Sequence, residues 1–99
     1  MMSVVTISQD GLGISHGDFF RIIPRLYPEA NLKLNPTGAV IEWTNNKTVK
    51  ISLGREGIRN LGLLKFPITD VCFSFHNCPQ QFLHTFMMVF NRGFQKGGG

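Results

Sequence analysis

Four side chains of zinc-competent type, Cys72, His76, Cys78 and His84, fall within thirteen residues. A tetrahedral zinc centre needs its four ligands on backbone segments that can converge, and C-x3-H-x-C-x5-H matches none of the usual ligand spacings. Strand periodicity puts Cys72 and His76 on one face of a strand, while Cys78 falls at the start of a helix and His84 about one and a half turns further on. Val71, Phe73 and Phe75 occupy the strand face that would have to close over such a site. No metal is therefore expected. Cys78 alone is a candidate reactive thiol, because the free N–H groups and dipole at a helix start favour the thiolate. With His76 nearby, it could serve a carrier or a redox sensor. As a small half-buried apolar residue, the same cysteine would need no chemistry.

Other catalytic arrangements lack support. The six acidic residues are dispersed, so no carboxylate pair is set up for general acid–base work. His16 and Asp18 share one helical turn but face different ways. Gly11-Leu12-Gly13 lacks the third glycine of a dinucleotide fingerprint, and no serine sits in a nucleophile elbow. An enzyme is not indicated, and no cofactor is implied.

The chain has ten Lys and Arg against six Asp and Glu, a formal charge of +4. That balance favours phosphates, anionic lipid or an acidic protein without choosing among them. Arg21 and Arg25 lie about one turn apart on a first helix, and Arg92 and Lys96 are similarly spaced on a second. If the helices run side by side, these four form one polyanion-binding end. Arg92 and Lys96 also complement the negative C-terminus of their own helix.

These residues must be held by a small number of elements. Ninety-nine residues that are 42% hydrophobic, with nine Phe, can bury one modest core. No apolar run approaches the roughly 20 residues of a membrane span. Val4, Val5 and Ile7 follow no basic n-region, so the start is not read as a secretory signal, and the cysteines are expected to be reduced in a cytoplasmic protein. Residues 1–13 are expected to be a flexible segment or an edge strand, followed by one domain over 14–95 and a glycine tail over 96–99.

Ser15 and Asp18 have capping-box spacing, with Ile14 placed to staple onto Phe19. Phe19, Phe20, Ile23 and Leu26 then repeat at helical spacing until Pro24 and Pro28 end the run. From Asn31 to Asn77 the period changes to two. Asn35-Pro36-Thr37-Gly38 and Asn45-Asn46-Lys47 mark turns, and runs over 60–66 and 69–75 are divided by Pro67. A second helix is expected from Asn77 or Cys78, with Leu83, Phe86, Met87, Phe90 and Phe94 as its core stripe. The expected fold is α+β, a two-layer sandwich. An antiparallel meander of four or five strands carries an N-terminal and a C-terminal helix on one face.

If Leu64 and Phe66 point inward, Leu61 and Leu63 point outward beside Cys72. With Val40 they would form an apolar partner-binding patch on the open sheet face. The terminal Gly97-Gly98-Gly99 resembles the glycine tail of ubiquitin-like sulfur carriers over three residues, although it follows a helix where that family's tail leaves a strand. The helix–meander–helix order is similar to that of frataxin-like domains, but the first helix lacks their acidic ridge, and a fold does not carry its function along. The function expected is a small binding or adaptor module that engages another protein, a nucleic acid or other polyanion, or a second copy of itself. The surfaces expected to do so are the sheet face and the basic helical end.

Overall fold

The computed structural model describes residues 4–95. Along the chain lie β1 (Val4–Leu12), α1 (His16–Ile22), a 3-10 turn (Ile23–Arg25), β2 (Asn31–Asn35), β3 (Gly38–Glu42), β4 (Thr48–Leu61), β5 (Leu64–His76) and α2 (Gln80–Gln95). Strands β2 to β5 form an antiparallel meander, and β1 joins the outer edge of β5, giving the order β1-β5-β4-β3-β2. Because β1 and β2 sit at opposite edges, the chain crosses the whole sheet between them, and α1 lies on that crossing.

The α+β architecture follows from where the apolar residues fall. Ile41, Val49, Ile51, Val71, Phe73 and Phe75 share one sheet face and are buried there with Phe19 of α1 and Phe86, Phe90 and Phe94 of α2. Phe73 meets Phe90 edge to face with ring centroids 4.8 Å apart, and Phe75 meets Phe86 at 5.4 Å. Such pairs contribute beyond the area they bury. Phe19 stacks on Phe94, tying α1 to the end of α2.

Local chemistry sets the ends of the elements. Ser15 Oγ accepts from the Asp18 N–H at 3.0 Å and Asp18 Oδ2 accepts from the Ser15 N–H at 3.1 Å, a complete capping box. The Ser15 N–H is the first cause holding the Asp18 carboxyl below its ordinary range. Pro24 converts the end of α1 into the 3-10 turn. At the β2–β3 turn Asn35 Oδ1 accepts from the Thr37 N–H, an Asx turn. The turn feeds Gly38 directly against β4, where a Cβ would stand 1.8 Å from the Ile51 carbonyl oxygen. Only glycine lets β3 and β4 pair at this register.

Two sequence expectations are corrected. The second helix starts at Gln80, not at Asn77 or Cys78, because Asn77 turns the chain with φ 59°. The runs 60–66 and 69–75 are not separate strands. β4 extends to Leu61, the two-residue turn Gly62-Leu63 follows, and β5 starts at Leu64 and passes straight through Pro67. Gly62 takes φ 61° and Leu63 does not take a positive φ, the pattern of a type II′ hairpin turn. Pro67 is tolerated because β5 has an open edge there, where a missing N–H need not break a ladder.

Candidate functional site

The β4–β5 hairpin outgrows the sheet. Pairing of β3 with β4 ends at Gly38–Ser52 and pairing of β1 with β5 ends at Leu12–Thr69. Residues 54–68 therefore form a two-stranded arm with both backbone edges open. From Glu56 to the turn it adds roughly 20 Å at about 3.4 Å per residue, in keeping with molecular dimensions of 50 × 25 × 23 Å.

The root of the arm is braced by the segment that enters α1. The His16 backbone N–H donates to Glu56 Oε1 at 2.7 Å, and the His16 ring Nε2 donates to the Gly54 carbonyl oxygen at 2.7 Å. Thr69, the buried polar residue of the core, donates its hydroxyl to the Ile14 carbonyl oxygen at 2.8 Å. A bulge between Leu53 and Glu56 inserts one extra residue into β4 opposite β5, which bends the arm away from the sheet axis. These contacts join residues far apart in sequence, and no local pattern announces them.

Beyond that root the arm is apolar and basic. Ile58, Leu61, Leu63, Leu64 and Phe66 are all exposed, Leu63 completely so at 101%. They are five of the nine large apolar side chains exposed among the described residues, concentrated in one short projection. Pairing puts Leu61 with Leu64 and Arg59 with Phe66 on the ribbon face that continues the open sheet face, and Ile58 with Pro67 on the other. Arg55, Arg59 and Lys65 are exposed along the same arm. Its one acid, Glu56, is taken up by His16.

The structure does not bring Leu61, Leu63 and Val40 together as one sheet-face patch. Val40 is half-buried in the body of the sheet, paired with Lys33 and Lys50. Leu61 borders the arm's turn and Leu63 lies in it. Leu64 and Phe66, expected inside, are at the surface. The arm's reach is the reason: Leu61 and Leu63 lie beyond the last pair of β3 with β4, away from Val40, and on β5 Leu64 and Phe66 fall on the face opposite to buried Thr69.

The basic helical end is only partly assembled. Arg21 is paired with Asp18 at 3.2 Å, an exposed contact of small energetic weight. Leu26 packs against Gly93, whose Cβ, if present, would stand 2.5 Å from Leu26 Cδ2. Arg25 and Arg92 therefore flank the contact between the 3-10 turn and α2. Lys96 lies outside the described residues.

Cys78 sits two residues before α2 and is buried. Burial pushes its thiol up, against the expectation of a lowered value, and its Sγ donates to the His76 carbonyl oxygen at 3.4 Å. Cys78 in a Cys72→Ser chain is thus expected to react with iodoacetamide at pH 7 more slowly than an unstructured cysteine peptide. Mass-spectrometric kinetics would show it, and a rate above the peptide's would mark an activated thiol. Cys72 lies on the open face between Ser52 and Ser8. Among the described residues, no three His, Cys, Asp or Glu converge as a metal site, and no helix is long and apolar enough to cross a membrane. No protein-family model, curated protein or solved structure matches this chain.

Proposed function

We propose that this protein is a binding module whose working part is the β4–β5 arm, and that its partner is a protein with an apolar cleft rimmed by acidic groups. The observation that carries this reading is the cluster of exposed Ile58, Leu61, Leu63, Leu64 and Phe66 on a braced projection. Exposed apolar clusters mark interfaces. Long ribbons with two unpaired edges are otherwise an aggregation hazard that proteins cover or charge. Arg55, Arg59 and Lys65 supply that charge and fit an acidic rim.

A protein cleft suits the arm better than a bilayer does. Asn60 and Lys65 pair directly behind Leu61 and Leu64, so the wholly apolar tip is about one residue pair plus the turn. Seating Ile58 and Phe66 in a bilayer as well would carry Arg59, Asn60 and Lys65 below the headgroups, a desolvation cost that a cleft with acidic groups does not impose. The open edges add a second mode of attachment, in which a partner strand continues the ladder of β4 or β5. The proposal is tested by comparing the whole chain with one lacking residues 57–68. A protein bound by the first and not by the second supports it, and equal binding, or binding of anionic vesicles alone, overturns it.

A further inference from the structure

A second feature lies at the other side of the molecule, where α2 passes the 3-10 turn and the end of β3. Leu26, Tyr27, Glu29, Trp43, Phe82, Thr85, Phe86 and Val89 line a hollow of about 180 Å³. Its walls meet at right angles: the Trp43 ring stands at 76° to Tyr27, 86° to Phe82 and 77° to Phe86, while Tyr27 and Phe86 lie parallel at 4.4 Å. Tyr27 and Phe86 are buried, so the aromatic surface that the corner between the rings presents is mainly that of half-buried Trp43 and Phe82. Tyr27 keeps its hydroxyl out of that corner by donating to the Phe86 carbonyl oxygen at 2.9 Å.

One charge borders this aromatic corner. Glu29 Oε2 accepts from Trp43 Nε1 at 3.1 Å, which fixes the carboxylate against the indole. Among the described residues Glu29 makes no ion pair. The cluster already draws a cation from its own chain, since the Lys47 ammonium lies 5.5 Å from the Phe82 ring centroid. On the far side of Trp43 a second, more polar hollow shares Glu29 and adds Glu42, whose charge is partly met by Lys33 at 3.5 Å. A protein of net charge +4 therefore has a small aromatic recess with a carboxylate at its mouth.

We propose that this recess binds a small alkylammonium ion, with its alkyl groups against Trp43 and Phe82 and its positive charge facing Glu29. Ring faces and a fixed anion attract such a cation together. The volume accommodates a quaternary ammonium head with a short stem and leaves no room for a drug-sized ligand.

Trp43 is the only tryptophan in the chain, so its fluorescence reports directly on the recess. The experiment titrates choline, its neutral isostere 3,3-dimethylbutanol and potassium chloride at matched ionic strength against the whole protein. Choline is expected to give a saturable change, and the isostere to bind about 2- to 30-fold more weakly, the span expected of a cation–π contact. Glu29 is exposed, so Glu29→Gln should stay folded, as the unfolding midpoint will show, and weaken choline binding by about 2- to 5-fold, the worth of an exposed charge contact. Equal midpoints for choline and the isostere, an unchanged midpoint in Glu29→Gln, or a choline response no different from potassium chloride would each overturn the proposal.

Discussion

Replacing Phe73 by alanine is expected to cost about 3–5 kcal/mol, the usual range for removing a fully enclosed aromatic ring. Phe73 is 0% exposed at the centre of the sheet, and its ring lies 4.8 Å from Phe90 and 6.2 Å from both Phe75 and Phe86. The cavity left by its loss is walled by other rings and by strands held in register on both sides, so little can collapse into it. Domains of this size are stable by about 5–15 kcal/mol, and the variant would be marginally folded. At about 4–8 °C per kcal/mol the melting temperature should fall by at least about 12 °C. Phe73→Leu, which refills most of the space, should recover much of the loss. A Phe73→Ala chain that melts within a few degrees of the parent would show that the core does not centre on this ring.

Removing the arm should do the opposite, leaving stability intact and abolishing binding. Glu56 and Thr69 face each other in the ladder, so an Asn-Gly pair in place of residues 57–68 closes the hairpin in a tight turn without changing register. No arm residue belongs to the buried core, and the contacts of His16 and Ile14 to Gly54, Glu56 and Thr69 all lie on the retained side. Stability should therefore change by no more than about 1 kcal/mol, as for surface changes away from packed or hydrogen-bonded groups. Solubility should rise with the loss of five exposed apolar side chains. Chemical denaturation of the two chains measures the first effect, and a large loss of stability would mean that the arm is structural.

The parts of the molecule that were legible in the sequence are those where one face is buried. Val49, Ile51 and Leu53 alternate with polar neighbours because β4 lies on the core there, and Ser15 with Asp18 marks the start of α1 because the capping box is local. The arm obeys neither rule. Residues 54–68 are wetted on both faces, so burial imposes no period of two, and the run read over 60–66 passes over Gly62, where the chain turns, and breaks at Pro67, where it does not. The extra residue between Leu53 and Glu56 is equally silent in the sequence, yet it reverses the facing of every later residue of β4. The aromatic recess was hidden for a different reason. Trp43 is recognisable as apolar, but its pairing with Glu29, fourteen residues earlier, depends on how the 3-10 turn delivers the chain to β2.

The arm's role is tested most directly by placing a photo-crosslinking amino acid at position 63 and, in a separate chain, at position 34, and irradiating both in the native cell. Leu63 is at the arm's turn, and Leu34, also exposed, is on the body of the sheet. One discrete protein adduct is expected from position 63 that position 34 does not form, made through a surface of that protein in which acidic residues border apolar ones. Identical adducts from the two positions, or adducts at 63 to nucleic acid or lipid in place of protein, would contradict it.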